Sequence, residues 1–454
     1  MAFSPVTNAA KAPAEVQYKY DPIVKASDDD DAEASVGSSS DDGTSSQFPL
    51  LLIGVIVLIV GAFGAKVALD RRRDFDQGGR FPRPTVPLAL MGVILIGALA
   101  FGAGGTTAAP SPKAPPGFLN IAPQEGTPVA ETQRMSQGGV RSIKVPVSWA
   151  LVQPDNSSTF EWGSYDAAFT SAAANGISVL PVLYATPPWL AKRTTALPKT
   201  KSEIAAWAHF VESAVQRYGN NGTFWDEPGQ QYTEKYPPKA WQLWNEVNFH
   251  YFAFPVSARN YARMVNAASP VVRANDPEAD IMLSGLFGRP KGPPKKAVKA
   301  TKFIKQFSKY VKPRQFDQVA LHPYTADSEQ LKLVIRDFRK AVVKAGYRKK
   351  PMAITEIGWG SGKATNAFLK GSQAKQAAQL TSALSYLIKA RKQYKVKSVY
   401  WYTWKDSDPN GKNCSFCYTT GLFKYVKPKA GVVTPLKPKQ AWKAFTRLTG
   451  GFSG

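Results

Sequence analysis

The sequence predicts an α/β protein: a (β/α)8 barrel that is preceded by a disordered tail and two transmembrane helices. Three observations predict it. From Gly117 onward, short apolar runs typical of buried strands alternate with helical patterns. Two long uncharged stretches come before this alternation, and the first 47 residues are polar and acidic. Helix-rich gaps between apolar strands indicate parallel pairing, with crossover helices that cover the sheet.

Eight runs within residues 117–454 have the composition of buried strands, and the segments between them repeat apolar residues at helical spacing. A barrel accommodates eight such β/α units in a chain of this length. A doubly wound open sheet is the alternative, but it normally carries a glycine-rich phosphate turn after its first strand, and the sequence has none. The predicted strands are Phe118–Pro123, Gly139–Val147, Ser178–Tyr184, Ala240–Asn245, Ile281–Leu286, Gln318–His322, Met352–Glu356 and Ser398–Thr403.

The N-terminal part divides into five segments. Residues 1–47 have too little apolar surface to offset the entropy of ordering and are predicted to be disordered. Residues 48–69 and 85–105 are apolar stretches long enough to span a bilayer. Between them, the loop 70–84 carries five arginines and is therefore expected in the cytoplasm. Residues 106–116 form a Pro/Ala linker.

This topology places the barrel, residues 117–454, outside the cytoplasm on a cell-membrane anchor. In the rival interpretation the second apolar stretch is the core of a cleaved signal peptide, and the barrel is secreted. Both interpretations predict an exported domain, and anchoring is the point on which they differ.

Charge is distributed unevenly along the chain. Residues 1–47 hold 3 basic and 9 acidic groups (−6), residues 48–116 hold 7 and 3 (+4), and residues 117–454 hold 48 and 21 (+27). Such a basic domain favours an anionic neighbour. One predicted helix carries a lysine stripe, which is either a solvated face or a dock for an anionic cell-wall polymer or lipid surface. Nucleic acid is not expected, because no aromatics are interleaved with the stripe and the domain is exported. The stripe is Lys295, Lys299, Lys302, Lys305, Lys309 and Lys312, opposite Val298, Phe303, Ile304, Phe307 and Tyr310.

Cysteine and histidine are too scarce for a metal or redox centre. The two cysteines, Cys414 and Cys417, lie in one loop without a second ligand pair, which favours a local disulfide or two idle thiols. The chain has three histidines. We therefore predict no metal and no cofactor.

Two strings with glutamate beside tryptophan carry the functional prediction. Trp-Gln-Leu-Trp-Asn-Glu-Val-Asn ends the fourth predicted strand at Glu246, and Ile-Thr-Glu-Ile-Gly-Trp ends the seventh at Glu356. Active sites of β/α barrels lie at the carboxyl ends of the strands, so both side chains are expected at one mouth. A retaining glycosidase uses two carboxyl groups, one as the proton donor and one as the nucleophile. Tryptophan rings stack on the apolar faces of sugars.

These strings resemble those of the clan A glycoside hydrolases, in particular families 39 and 5, whose usual fourth-strand string is Trp-Asn-Glu-Pro-Asn. The resemblance covers essentially all of residues 117–454. Further strings resemble the second, third, sixth and eighth strands of these enzymes: Val145-Pro-Val-Ser-Trp149, Val182-Leu-Tyr-Ala-Thr-Pro-Pro-Trp189, Leu321-His-Pro-Tyr324 and Tyr400-Trp-Tyr-Thr-Trp404.

The resemblance implies a role for each matching residue. Glu246 would be the acid/base and Glu356 the nucleophile. Asn245 would bond the sugar 2-hydroxyl, and Tyr324 would support the nucleophile. The sugar floor would be Trp401 or Trp404.

Two departures from the family pattern stand at the site. Val247 replaces the usual proline, which we expect to change loop stiffness and not chemistry. Lys144 replaces an arginine that often touches the nucleophile. Because an inward lysine is costly unless it is paired, we predict a contact between Lys144 and Glu356. The alternative is a lysine whose amine reaches solvent at the start of the strand.

Three further side chains are candidates for the site. Trp149 and Trp189 either line a sugar groove or pack in the core. His322 either bonds a substrate hydroxyl or braces Glu356.

Together these residues predict a retaining glycoside hydrolase that cleaves O-glycosidic bonds of a polysaccharide or glycoside, with transglycosylation open to the same residues. The alternative is a catalytically weak barrel that binds cell-wall glycan.

Overall fold

The computed structural model describes residues 112–124, 128–230, 234–364, 368–410, 415–428 and 434–453. The predicted tail, both predicted membrane spans, the arginine-rich loop, most of the linker and Cys414 lie outside the described residues. Within those ranges, no helix combines the length and the apolar character that crossing a membrane requires.

Eight parallel strands close into a barrel in chain order, so the predicted (β/α)8 architecture is confirmed. The strand predictions hold closely, and three of the eight have the predicted bounds. The second strand begins at Ser142 and not at Gly139, because Gly139 has a φ of +87° and ends a turn after the preceding helix. The strands are β1 Leu119–Ala122, β2 Ser142–Ser148, β3 Ser178–Tyr184, β4 Ala240–Asn245, β5 Asp280–Phe287, β6 Gln318–His322, β7 Met352–Ile357 and β8 Val396–Tyr402.

The helices pack around the barrel and bury one face each. Thr200 illustrates how the sequence starts them: its hydroxyl accepts from the Glu203 N–H while the Glu203 carboxylate accepts from the Thr200 N–H, a reciprocal capping box. The helices are α1 Val129–Gln137, α2 Trp149–Val152, α3 Gly163–Ala173, α4 Lys201–Tyr218, α5 Ala258–Asn275, α6 Ala300–Phe307, α7 Ser328–Lys344, α8 Gln373–Tyr394 and α9 Gln440–Thr449.

Smaller elements decorate the loops. A two-stranded antiparallel sheet, β9 Phe423–Lys424 with β10 Lys437–Pro438, lies between β8 and α9. Short 3-10 turns occupy Thr223–Asp226, Pro313–Gln315 and Ser415–Tyr418. Cys417, in the last of these, is buried and disulfide-bonded, which agrees with the first of the two cysteine interpretations.

The lysine stripe is exposed, but it does not run along one helix. The helix α6 has eight residues, so Lys295 precedes it and Lys309 and Lys312 follow it. Before α6 the backbone is not helical and bonds to a neighbouring loop: His250 N–H donates to the Lys296 carbonyl at 2.7 Å. Phe303, Ile304 and Phe307 are buried as predicted. Tyr310 is 48% exposed, so its predicted inward orientation is wrong.

Candidate active site

The site forms where the carboxyl ends of β2, β4, β6 and β7 meet inside the barrel. Strand alternation alone does not give this arrangement, because irregular backbone occurs at β4, β5 and β7. Trp244 and Glu246 have positive φ values of 70° and 37°, which is uncommon for residues other than glycine. The register also shifts within β5 and within β7. Such irregularities next to active sites re-aim side chains, and here they bring Asn245 to the barrel interior.

Lys144 joins the nucleophile candidate to the fourth strand. Its Nζ lies 2.5 Å from Glu356 Oε1 and 3.1 Å from Asn245 Oδ1, and its side chain is 5% exposed. The predicted contact between Lys144 and Glu356 is therefore present, and the alternative of a lysine reaching solvent is wrong.

His322 connects the two carboxylates from the end of β6. Its Nδ1 lies 2.8 Å from Glu246 Oε1 and 3.5 Å from Glu356 Oε2, and its Nε2 lies 3.0 Å from Thr355 Oγ1. Gly285 on β5 makes room for the imidazole, since a Cβ there would lie 2.1 Å from His322 Nε2. Of the two roles predicted for His322, the geometry fits a brace, because the ring is fully buried. The carboxylate nearer to the ring is Glu246, however, and not the predicted Glu356.

The Glu356 carboxylate is held as an anion. Burial alone would raise its pKa, but the charge of Lys144 and the hydrogen bonds from Lys144 and Tyr324 outweigh burial and hold the pKa of Glu356 below its usual value. Burial lowers the pKa of His322 to about 3, so the imidazole is neutral at neutral pH and Lys144 is the relevant cation. The Tyr324 hydroxyl donates to Glu356 Oε2 at 2.8 Å, as the resemblance implied.

Glu246 has the opposite electrostatics. Burial and the charge of Glu356 raise its pKa well above its usual value, and Lys144 opposes this only in part. Glu246 is 2% exposed. The pair therefore holds one proton donor and one anion, which is the division of labour that two-carboxylate catalysis requires.

A cavity of about 360 Å³ opens above the pair. Lys144, Asn245 and Glu356 form its polar end, with Gln124 from the end of β1 and Tyr402 from the end of β8. Glu246 lies behind this wall, against His322. Gln124 and Tyr402 were missed at the level of sequence. Strand alternation places Tyr400 and Tyr402 on one face of β8 and Trp401 on the other, but it does not show which face is the interior.

The tryptophans predicted at the site do not line this cavity. Trp401 is fully buried and donates to the Thr420 carbonyl, while Trp404 packs on Phe423 and Trp442 with centroid distances of 4.4 and 5.4 Å. A sugar floor of Trp401 or Trp404 does not fit this arrangement, and Tyr402 is the β8 aromatic that faces the cavity.

The other two tryptophans form part of the packing around α4. Trp149 is fully buried, stacks on Phe210 and donates to Gln153 Oε1 at 2.8 Å. Trp189 meets Trp149 edge to face at 5.9 Å and is half-buried. For this pair the core interpretation fits better than the groove interpretation.

Glu246, His322 and Glu356 each offer one possible ligand atom, and these atoms lie within 4.8 Å of one another. Such a triad could hold a metal ion by distance alone. However, the ammonium of Lys144 already contacts Glu356, and its charge would repel a divalent cation. The donor set is therefore explained better by an ion pair than by a metal.

Residues 267–422, from α5 to the loop after β8, match a family model described as "Glycosyl hydrolase catalytic core". This stretch of the chain is therefore similar to the catalytic core of glycosyl hydrolases. The matched stretch includes Glu356 and Tyr324, and it begins after Glu246. The predicted resemblance to clan A and the predicted enzyme class, a glycosidase, are thereby confirmed.

Solved structures with the same fold are also glycoside hydrolases. A glucosidase from Croceicoccus marinus is 14% identical, with coverage of 75% of this chain and 69% of that chain and a TM-score of 0.54. A family 39 enzyme from Xanthomonas axonopodis pv. citri is 17% identical, with coverage of 74% and 67% and a TM-score of 0.51. At these identities the likeness shows the barrel fold alone.

A family 39 glycoside hydrolase from Bacteroides cellulosilyticus WH2 is 19% identical, with 74% of this chain covered and a TM-score of 0.49. This chain spans 64% of the length of that enzyme. No curated protein sequence matches this chain.

Proposed function

We propose that this protein is a retaining glycosidase in which Glu246 is the acid/base and Glu356 is the nucleophile. One observation carries the proposal: an oxygen of each carboxylate lies within 4.8 Å of the other, and their pKa values are displaced in opposite directions. Retaining enzymes hold their carboxyl groups about 5–5.5 Å apart, whereas inverting enzymes leave about 6.5–9.5 Å for a water molecule.

In the first step, the Glu356 carboxylate attacks the anomeric carbon while protonated Glu246 gives its proton to the leaving oxygen. The glycosidic bond breaks as the ester bond to Glu356 forms. In the second step, Glu246, now ionised, takes a proton from water. The resulting hydroxide displaces Glu356 and releases the sugar with its original anomeric configuration. A sugar hydroxyl in place of water would give transglycosylation.

The neighbours of Glu356 act on the same two steps. Lys144 and Tyr324 stabilise the departing carboxylate when the ester breaks, which favours turnover of the intermediate. When Glu356 is esterified, Lys144 keeps its hydrogen bond to Asn245 Oδ1. The amide Nδ2 of Asn245 then remains to bond the sugar 2-hydroxyl. Because Glu246 lies behind the cavity wall, its carboxyl must turn from His322 towards the leaving oxygen.

The test uses 2-fluoro-2-deoxy glycosides with a good leaving group, which trap the covalent intermediate. A panel of aryl glycosides first identifies the accepted sugar. We then expect a mass increase of one fluorosugar, located on the peptide that contains Glu356. NMR of the initial product should show retained configuration. An inverted product would contradict the proposal, and glycan binding without hydrolysis of any panel member would favour the catalytically weak barrel.

We also propose that the enzyme is exported and membrane-tethered through residues 48–69 and 85–105, with the barrel outside the cytoplasm. The arginines of the loop between these stretches support this orientation. In untreated cells the barrel should sediment with membranes. Protease added to intact cells should degrade it. A barrel that appears in the medium would favour the cleaved-signal interpretation, and protection from protease would overturn export.

The basic surface supports a further partner. Ten basic residues and no acidic residue occur between residues 281 and 316, and within the described residues none of the lysines among them forms a salt bridge. We propose that this surface holds an anionic cell-wall polymer near the enzyme.

A further inference from the structure

The cavity above Glu356 extends through the barrel wall. Successive side chains of a strand point to opposite faces, so Lys144 and Val145 on β2 face the barrel interior and the surrounding helices respectively. Both nevertheless line the same cavity. Its lining thus includes residues from both faces of β2, and it continues to Leu151 on α2 and Ala168 on α3.

The opening lies between β1 and β2, where the sheet is weakly paired. These strands share one paired position, Ile121 with Ile143, whereas β2 and β3 share seven. Pro123 and Pro146 stand beside the opening and line the cavity. Proline has no N–H, so neither residue can donate a hydrogen bond that would close the gap.

The part of the cavity beyond this opening, which we term the side arm, is apolar. Its walls are the aliphatic side chains of Val145, Leu151 and Ala168, with the hydroxyls of Ser164 and Tyr165. The charged lining residues, Lys144 and Glu356, lie at the other end. A second sugar ring would need partners for several hydroxyls. Two hydroxyl donors beside an aliphatic wall instead match an ester: a carbonyl that accepts hydrogen bonds and a hydrocarbon chain that does not.

The position of the side arm also indicates which part of a substrate enters it. The leaving group must reach Glu246, which follows β4, whereas the side arm opens between β1 and β2. A group in the side arm is therefore carried by the sugar that becomes attached to Glu356.

We propose that the side arm binds a short aliphatic acyl group on the sugar at the cleavage point, so that the substrate is an O-acylated glycoside. The inference rests on the proposed function, since it needs the same sugar position. The hydroxyls of Ser164 and Tyr165 donate to the ester carbonyl, and Val145, Leu151 and Ala168 surround the acyl chain.

The experiment uses the full chain and the aryl glycoside that the panel identifies, together with its mono-O-acetyl and mono-O-butyryl esters. We expect at least one ester to be cleaved with a kcat/KM about tenfold above that of the free glycoside. Ala168→Trp, which fills the side arm, should abolish this preference. The matched control is Ala167→Trp, one residue earlier on α3 at an exposed position, which should keep it. Thermal unfolding of both variants checks that they fold.

Binding separates failure of this inference from failure of the proposed function. Methyl glycosides with and without a butyryl ester are titrated into the Glu356→Gln protein. Tighter binding of the ester, lost in Ala168→Trp, would support the side arm even if no glycoside were hydrolysed. Equal kcat/KM and equal binding for esters and free glycosides would overturn the inference and leave the glycosidase proposal standing. An ester preference that survives in Ala168→Trp would also overturn it.

Discussion

The Lys144 ammonium contacts the Glu356 carboxylate at 2.5 Å, and the pair lies inside a barrel wall where neither side chain is more than 11% exposed. Lysine supplies one point charge where an arginine would supply a planar fork. Lys144 also donates to Asn245 Oδ1, and this second hydrogen bond fixes the direction of the amine. It thus supplies the orientation that the second N–H of an arginine would give.

Lys144→Met should remove the cation that keeps Glu356 ionised. Removing one partner of a buried ion pair leaves the other charge uncompensated, so the pKa of Glu356 should rise. We expect kcat/KM to fall by about 100-fold at neutral pH, which is the usual effect of removing one preorganised electrostatic contact. The acid limb of the pH profile should move to higher pH. Lys144→Arg keeps the charge and is the control, and it should keep the acid limb near its original position. Unchanged hydrolysis by Lys144→Met would contradict the role of the pair.

The pH dependence of kcat/KM should be bell-shaped. Glu356 must be ionised, and its lowered pKa places the acid limb below the usual glutamate range. Glu246 must be protonated, and its raised pKa places the alkaline limb above that range. Activity is thus expected between the two limbs and should decline on either side. An acid limb that is unchanged in Glu356→Asp and in Lys144→Met would show that another group sets it.

Tyr324→Phe should shift the acid limb alone. The Tyr324 hydroxyl donates to Glu356 Oε2 and helps to lower the pKa of Glu356, so its removal should raise that pKa and move the acid limb to higher pH. The alkaline limb, which follows Glu246, should stay in place. The measurement is kcat/KM across the pH range, and Tyr261→Phe, whose hydroxyl bonds backbone outside the cavity, is the control. A shift of both limbs would contradict this assignment.

Gly285→Ala should damage the site without touching a catalytic atom. The new Cβ would lie 2.1 Å from His322 Nε2 and 2.7 Å from Thr355 Oγ1, so the imidazole must move and Glu246 loses its neighbour. Overpacking of this kind costs about 1–3 kcal/mol of stability. Gly163→Ala is the matched control, because its Cβ would meet nothing within 4 Å. The thermal unfolding temperature and kcat/KM should both fall for Gly285→Ala, and both should stay unchanged for Gly163→Ala.

The lysine surface should bind an anionic polymer through charge. Changing Lys302, Lys305 and Lys309 to Glu should abolish retention on immobilised polygalacturonate at low salt, and salt should release the parent protein. The control changes three exposed lysines elsewhere, Lys340, Lys344 and Lys349, to Glu. Equal loss in both triple variants would show a general effect of net charge and not a specific surface.

The arrangement of the barrel could be predicted because it depends on local patterns. Apolar runs of strand length and amphipathic runs between them recur in order, so eight strands were found with small errors at their ends. The two glutamates that we propose as catalytic followed, since both end a strand and the carboxyl ends of barrel strands share one mouth. The contact of Lys144 with Glu356 could be predicted for a physical reason: an inward ammonium needs an anion.

The aromatic residues of the site could not be predicted in the same way. The sequence places Trp401, Tyr402 and Trp404 side by side, and composition favours tryptophan as the sugar platform. Which ring faces the cavity depends on the phase of β8 relative to its neighbours, and a shift of one residue reverses it. The buried cluster of Trp149, Trp189 and Phe210 likewise forms only when the loop after β2 meets α4.

The sequence by itself determined the fold class, the two carboxylates and the need of Lys144 for a partner, because periodicity and charge are properties of the chain. Tertiary structure decided which side chains reach the cavity, the opposite pKa displacements of Glu246 and Glu356, and the opening between β1 and β2. The reason is that bulges, positive φ values and weak strand pairing change the direction of a side chain without leaving a periodic signal. Burial and the close contacts that displace the pKa values likewise exist only once the barrel has closed.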